Sequence, residues 1–261
     1  MRRIAFASLS LALAMGAQAQ TPEPSEAPEI QAVIGAPFSD TAVEETTRVM
    51  QDGTRFVHSL TTRHYRSGQG SVRTERELPL PAGASGEPHT IITINNKVTG
   101  ELDSLFPVGK MASVMQRTGM KVVDTPVTLP EIYTTFAGMR IGPKDPGWSA
   151  PVSLGEKTLD GVHVVGSQRV YTVDAGKVGN SKAVTVTIQQ WSSPELGIIV
   201  DKLVSSTTGG QFHYHLTQLT QAEPDAALFT VPADYKKILV KRTAGNGVEV
   251  ETASTPTTAN R

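Results

Sequence analysis

The 261-residue chain contains no cysteine. It therefore has neither a disulfide to stabilise a small core nor a thiol that could carry a lipid anchor or act as a nucleophile. A chain of this length does not need a disulfide, because a domain of about 200 residues buries most of its apolar surface on folding. The sequence thus predicts a fold that is stabilised by its core alone.

An excess of charge of one sign is also missing. Lys and Arg total 24 and Asp and Glu total 25, for a formal net charge of −1. This balance indicates neither nucleic acid nor an anionic membrane as a partner.

Long apolar runs are limited to the N-terminus, where two arginines precede an apolar run over residues 4–15. The run is shorter than the roughly 20 residues that span a bilayer, and small residues ending in Ala19 follow it. This pattern predicts a secretory signal peptide over residues 1–19, cleaved after Ala19. We expect a periplasmic or secreted chain with no transmembrane anchor in its mature form.

Motifs of catalysis are absent as well. The chain has no Gly-x-Ser-x-Gly and no Ser-x-x-Lys, and the glycines at Gly155 and Gly176 lack the long glycine-rich loop that holds a phosphate. The sequence predicts a non-enzymatic protein without a cofactor.

Composition divides the rest of the chain into three parts. Residues 20–36 are rich in proline and glutamate, and residues 239–261 are dominated by Thr, Ala, Glu and Asn. We expect a disordered spacer and a disordered tail there. No second linker interrupts residues 37–238, which predicts a single antiparallel β domain.

Alternation of apolar and polar residues, the period of a strand, runs over residues 184–189 and 212–217. The dipeptides Asp52-Gly53 and Asp160-Gly161 supply the positive φ angles of tight hairpin turns. The second dipeptide predicts strands over 152–159 and 162–173, and the first predicts strands over 43–50 and 55–65. The expected fold is mainly β: a curved antiparallel sheet, arranged as a half-barrel meander with one covering helix.

The covering helix is predicted after Thr128, which forms a capping box with Glu131, with Pro130 in the first turn. Apolar residues up to Phe136 then share one face, and Gly138 ends the run. A mobile insert is the alternative interpretation of this segment.

Several short segments follow one another in a recognisable order. They are Ala36-Pro-Phe-Ser, Gln51-Asp-Gly-Thr-Arg, Leu154-Gly-Glu-Lys-Thr-Leu-Asp-Gly, Trp191-Ser-Ser-Pro-Glu-Leu and Phe229-Thr-Val-Pro-Ala-Asp-Tyr. In this order they resemble a group of exported bacterial proteins of unknown function, of the kind abundant in acidobacteria, and more remotely the lipoprotein localisation factor superfamily. The resemblance to the superfamily implies a half-barrel whose concave face binds acyl chains or a regulatory partner.

Candidate ligand-binding residues are the aromatic and aliphatic side chains of the predicted strands. In a half-barrel they would line a cavity for an acyl-chain or lipoprotein-like ligand, and in a closed sheet they would fill the core. Both interpretations remain open from the sequence. The candidates are Phe212, Tyr214, Leu216, Val186, Ile188 and Ile198.

His213 and His215 are the weak candidates for a metal site. Residues i and i+2 of a strand point the same way, so both imidazoles could reach one ion if a third ligand lay nearby, with His58 and His64 as possible contributors. A solvent-facing or hydrogen-bonding role is the favoured interpretation, and no metal is predicted.

Basic residues cluster around the turn after residue 66, with Glu75 and Glu77 among them. A surface ladder of cross-strand ion pairs is the favoured interpretation, and a rim for an anionic headgroup or glycan is its rival. The basic residues are Arg63, His64, Arg66, Arg73 and Arg76.

These observations favour a non-enzymatic binding module of the cell envelope for a lipid or other apolar ligand. The alternative is a protein-interaction or regulatory module that binds an envelope protein through a sheet edge. A metal-dependent enzyme built on His213 and His215 is a distant third.

Overall fold

The computed structural model describes residues 30–50, 52–80, 85–86, 88–117, 134–136, 139–142, 145–177, 179–242 and 248–252. The predicted signal peptide lies outside these ranges. The described residues form fifteen strands: β1 Phe38–Val49, β2 Arg55–Arg66, β3 Val72–Leu78, β4 His89–Asn96, β5 Glu101–Phe106, β6 Met111–Gln116, β7 Thr134–Phe136, β8 Met139–Ile141, β9 Val152–Leu159, β10 Val162–Val173, β11 Val184–Ser193, β12 Ile198–Ser206, β13 Gln211–Thr220, β14 Lys236–Arg242 and β15 Val248–Thr252.

Thirteen of these strands form one open, curved sheet in the order β15-β14-β6-β5-β4-β3-β2-β1-β13-β12-β11-β10-β9, and β7 and β8 form a separate two-stranded sheet. Two meanders, β1 to β6 and β9 to β13, meet where β1 pairs with β13. All neighbours are antiparallel except β14, which lies parallel to β6. The predicted mainly β fold with a curved antiparallel meander is confirmed.

The two faces of the sheet are defined by β13. The first face carries Phe212, Tyr214 and Leu216, and the second face carries His213 and His215, because successive side chains of a strand alternate. Residues directly opposite each other on paired strands share a face, so the register extends both faces to the neighbouring strands.

Each face has its own buried cluster. The larger cluster includes Phe38, Ala42 and apolar first-face residues of β11 to β13. The smaller one packs Ile94 and Leu105 against Phe229, which lies in the short 3-10 helix Ala226–Phe229. The sheet is therefore buried on the first face at one flank and on the second face at the other.

The hairpin predicted at Asp160-Gly161 is confirmed with its strand limits, residues 152–159 and 162–173. Both turn residues have positive φ angles, 47° for Asp160 and 81° for Gly161. This is the geometry that a two-residue hairpin turn requires and that Asp-Gly tolerates well. Ser193-Pro194-Glu195 leads from β11 into the turn to β12, as its proline predicts.

Three expectations about the chain differ from the structure. The helix predicted over 128–138 is wrong at Thr134–Phe136, which form β7, and the rest of it lies outside the described residues. Two β-branched threonines followed by an aromatic residue favour a strand there.

The two ends of the domain also differ from the expectation. A disordered tail was expected over residues 239–261, but β14 occupies residues 239–242 and β15 occupies residues 248–252. Val248 and Val250 alternate with glutamates, which is the period of a strand. The spacer expected up to residue 36 already contains Val33, which is fully buried.

Candidate functional site

The six candidate ligand-binding residues lie together in the structure. None is more than 5% exposed, and all belong to the larger buried cluster: Phe212, Tyr214, Leu216, Val186, Ile188 and Ile198. The sequence pattern therefore identified a contiguous apolar region across β11, β12 and β13.

A row of four polar side chains crosses this region on the first face. Glu44 of β1 is directly opposite Tyr214 of β13, Tyr214 is opposite Lys202 of β12, and Lys202 is opposite Gln190 of β11. Opposite residues have Cβ atoms about 4.5–5.5 Å apart. We call Glu44, Tyr214, Lys202 and Gln190 the polar row; each is less than 9% exposed.

Three oxygen atoms of the polar row have no hydrogen-bond partner among the described residues: Glu44 Oε1, Tyr214 OH and Gln190 Oε1. Arg76 Nη2 lies 3.8 Å from Glu44 Oε1, beyond hydrogen-bonding distance. Leaving a buried polar group unsatisfied costs about 1–3 kcal/mol. The unsatisfied oxygens of the polar row therefore lower the stability of the folded chain.

Burial also shifts the proton affinities of the polar row. Removal from water raises the pKa of Glu44, against the opposing effect of Arg76, and raises the pKa of Tyr214 well above its ordinary value. It lowers the pKa of Lys202 to about 8. All three shifts disfavour the charged forms, as burial does in general.

A second buried polar group lies beside the row on β1 and β2. Asp40 Oδ1 is 2.8 Å from His64 Nδ1, while Asp40 Oδ2 and Thr62 Oγ1 lack partners among the described residues. Burial raises the pKa of Asp40, and His64 and Arg66 oppose the shift. Asp40 and Thr62 thus add buried polar groups on the β2 side of the row, where Thr62 is opposite the apolar Ala42.

The basic cluster predicted as a surface ladder divides between the two faces. Arg63 is exposed and lies 3.4 Å from Glu77, as a ladder requires. His64, Arg66 and Arg73 are buried, so the surface interpretation is wrong for these three residues. The period of two explains the burial of His64 and Arg66, because Arg63 and these even-numbered neighbours point to opposite faces of β2. Arg73 is opposite Tyr65 and so shares the face of Arg63; it is buried where its Nη1 donates to the Leu228 carbonyl at 2.8 Å.

The weak metal candidates His213 and His215 lie on one face of the sheet, and their possible contributors His58 and His64 lie on the other. His58 is opposite Thr46, which is opposite Phe212, so His58 and His64 belong to the first face. His213 and His215 stack on the second face with ring centroids 4.7 Å apart, and His213 Nε2 is 3.0 Å from Asp201 Oδ2. Within the described ranges, no three His, Asp or Glu side chains are arranged to hold a metal ion.

The sequence contains a signal for the polar row that the alternation of apolar residues does not reveal. Lys202 stands between Val200 and Val204, and Glu44 follows Ala42, at positions whose parity predicts buried apolar side chains. A charged residue at such a position breaks the pattern of a core strand. These two breaks join Tyr214 and Gln190 in one feature only when the strand order is known.

No family model matches this chain, and no curated protein matches it. Similar solved structures include LprF from Mycobacterium bovis (13% identity, 76% of this chain and 90% of that chain, TM-score 0.30) and the lipoprotein LppX from Mycobacterium tuberculosis (10%, 73% and 90%, 0.28). The LolA superfamily protein NE2245 from Nitrosomonas europaea is another (9%, 75% and 90%, 0.27). These neighbours include members of the superfamily that the sequence resembles. At this similarity they assign no ligand and no residue role to the chain.

A search of the described residues for a membrane-crossing helix finds none with the necessary length and apolar character.

Proposed function

We propose that this chain is a non-enzymatic binding module of the cell envelope whose ligand is amphipathic. The ligand's apolar part would lie against the cluster formed by Phe212, Leu216, Val186, Ile188 and Ile198, and its polar part would meet the polar row. The observation that carries the proposal is the set of unpartnered oxygens inside an otherwise apolar cluster.

The apolar residues alone do not distinguish a ligand site from a packed core, because both bury the same side chains. The polar row does distinguish them. A packed core gains stability when Glu44, Tyr214 and Gln190 are replaced by apolar residues, since each leaves an oxygen unsatisfied. In a ligand site, by contrast, a polar group of the ligand can form hydrogen bonds to these oxygens.

The chemistry of the row indicates the polar part of the ligand. Gln190 Oε1 and an ionised Glu44 Oε1 can only accept hydrogen bonds, and Tyr214 OH can donate or accept. A ligand with hydroxyl or amine donors satisfies such a surface, and a purely apolar ligand does not. We therefore infer an acyl-chain compound with a hydroxyl- or amine-bearing headgroup.

The protein-interaction alternative is less well supported at the terminal edge strand β9. Its pairing with β10 shifts register at Gly166 and Ser167, and Gly155 has a φ of 83°. Glu156 and Lys157 add charges to the same strand. Bulges and charges of this kind protect a sheet edge from pairing with another strand.

The proposal is tested by native mass spectrometry of the protein purified from the envelope fraction of its expression host, with lipid extraction of the same sample. We expect a bound lipid whose headgroup carries a hydroxyl or an amine. Gln190→Leu should reduce the bound fraction, because it removes an acceptor from the row. Gln189→Leu is the matched control, since it makes the same change one residue away on the second face.

Two results would overturn the proposal. One is protein that carries no lipid after gentle purification and takes up none from added lipid. The other is equal lipid occupancy in Gln190→Leu, Tyr214→Phe and the unchanged chain, which would remove the polar row from any binding role.

A further inference from the structure

The turn between β5 and β6 presents apolar side chains to solvent. Val108 in the turn is 78% exposed. Phe106 and Met111, which lie opposite each other where the two strands meet the turn, are 45% and 39% exposed. Single exposed apolar residues are common on protein surfaces, but here three fall within six residues. We call Phe106, Val108 and Met111 the apolar tip.

The backbone of this turn is held in one conformation. Pro107–Gly109 form a 3-10 helix, and the Lys110 N–H donates to the Pro107 carbonyl at 3.1 Å. Lys110 has a φ of 45°, in the left-handed region that side chains other than glycine and asparagine rarely adopt. Its carbonyl accepts from the Lys236 N–H at 2.8 Å, which ties the turn to the start of β14. The apolar tip therefore loses little conformational freedom when it contacts a partner.

Lysines surround the apolar tip. Lys110 belongs to the turn, and Lys236 and Lys237 begin β14, where Lys236 is opposite Met111. Neither the turn, nor β6, nor β14 contains an acidic residue. Asp234, just before β14, pairs with Lys110 at 2.7 Å. Three lysines against this one acid leave the corner positive, although the whole chain has a formal net charge of −1.

We propose that this corner of the sheet docks on a lipid bilayer that contains anionic headgroups. The apolar tip enters the boundary between headgroups and acyl chains, and the three lysines lie at the level of the phosphates. Segments that lie on membranes combine these two features, an apolar surface and lysines beside it. Pro107 fits the position as well, because proline has no N–H group to leave unpaired away from water.

A protein partner fits this corner less well than a bilayer. Lysine is depleted in protein–protein interfaces, whereas at a membrane its charged end reaches the headgroups while its stem lies against apolar groups. Three apolar side chains are also far fewer than the roughly 20–30 residues that each side of a stable protein interface contributes. A bilayer requires no such area, because apolar insertion and attraction to anionic headgroups act together.

Vesicle flotation tests the docking directly. The purified chain should float with vesicles of equal parts phosphatidylcholine and phosphatidylglycerol, and much less with phosphatidylcholine alone. Val108→Asp should weaken binding about tenfold or more, because a carboxylate in the apolar tip is costly to bury in lipid and is repelled by anionic headgroups. Val98→Asp is the matched control, since Val98 is 68% exposed in the β4–β5 turn at the opposite end of the sheet. It should float like the unchanged chain.

Lys110→Gly separates the charge of the turn from its geometry. Glycine adopts the left-handed conformation of this position without strain, so the turn is kept while the cation is removed. A lysine beside an anionic membrane strengthens binding about fivefold. We expect a loss of about that size for the mixed vesicles and no change for phosphatidylcholine alone. Lys236→Gln should behave in the same way.

The absence of cysteine allows the position of the tip to be followed with a single label. An environment-sensitive fluorophore on Val108→Cys should shift its emission to shorter wavelength when mixed vesicles are added. The same label on Val98→Cys should not respond. A label at Val108 that responds to soluble envelope proteins but not to vesicles would assign the corner to a protein partner and overturn the inference.

The inference is also overturned if Val108→Asp floats as well as the unchanged chain, or if flotation does not depend on anionic lipid. Unfolding in urea verifies that each variant folds. Docking does not rest on the proposed function, and one variant separates the two. Gln190→Leu, which should carry less bound lipid, should float with the mixed vesicles like the unchanged chain.

Discussion

The Nη2 of Arg66 donates a hydrogen bond of 2.6 Å to the carbonyl of Leu196, a residue 130 positions away in the sequence. The same guanidinium donates to the carbonyls of Ala36 and Gln31, at 2.8 Å and 3.1 Å, and lies over the ring of Phe38. Its charge is fully buried, and burial lowers the pKa of Arg66 to about 10. One side chain thus joins the chain before β1, strand β2 and the turn between β11 and β12.

Replacement of Arg66 by methionine should destabilise the fold by about 3 kcal/mol or more, because three carbonyls lose their donor at once. Urea unfolding measures the loss as a lower midpoint. Arg63→Met removes an arginine of the same strand whose side chain is 46% exposed, and should change stability by less than about 1 kcal/mol. Equal effects of the two changes would contradict the role assigned to Arg66.

Asp103 should make the protein less stable as the pH rises. Burial raises its pKa from 3.8 to about 6, with repulsion from Glu101 adding to the shift and Lys237 opposing it. The folded state therefore holds this proton more tightly than the unfolded state does. The associated stability is fully present below about pH 3.8 and is lost as the pH rises through about 6.

Asp103→Asn should remove this loss and raise the stability at pH 7 by up to about 3 kcal/mol, at 1.36 kcal/mol per pKa unit. Thermal unfolding at a series of pH values between 4 and 7 is the measurement. Asp160→Asn, in an exposed turn that tolerates asparagine, should leave the pH dependence as it is. If Asp103→Asn had the same pH profile as the unchanged chain, the Asp103 carboxyl would not titrate between pH 4 and 7.

Tyr214→Phe should raise the stability of lipid-free protein by about 1 kcal/mol, because the hydroxyl that it removes has no partner. Delipidated protein must be used, since a bound ligand would satisfy the hydroxyl and reverse the sign. Tyr171→Phe, in a half-buried tyrosine that packs on the same cluster, is the control and should have little effect. A large loss of stability in delipidated Tyr214→Phe would mean that the hydroxyl is satisfied within the fold.

Gly166→Ala should disturb the packing of Trp191. A Cβ atom at Gly166 would lie 2.6 Å from the indole ring, so the ring must shift, and its contact with Lys157, whose Nζ is 3.7 Å from the ring centroid, changes. We expect a loss of about 1–3 kcal/mol and altered tryptophan fluorescence. Gly210→Ala introduces a methyl group into open space and should alter neither.

Local features of the fold were predictable from the sequence, and distant pairings were not. Asp160-Gly161 fixed a hairpin and its strand limits, because a turn and the strands beside it depend on neighbouring residues. The helix expected after Thr128 is wrong at Thr134–Phe136, because the strand preference of these residues outweighs the capping box that precedes them.

The candidate site also combines a local feature that the sequence predicts with a distant pairing that it does not. The apolar members were predicted from alternation within single strands, as in Phe212 and Leu216. The row of Glu44, Tyr214, Lys202 and Gln190 depends on the pairing of β1 with β13 and on the register of three ladders. No period within one strand specifies which residue of another strand will lie opposite it.

The pairing of β1 with β13 also has a consequence for the order of folding. Each meander can form from neighbouring hairpins, whereas the contact of the Thr217 hydroxyl with the Thr41 carbonyl closes a loop of 176 positions. Contacts of such separation are slow to form, because the entropy of loop closure must be overcome before they contribute. Glu44 and Tyr214 stand on either side of this junction, so the polar row comes into existence only in a chain whose two halves have already met.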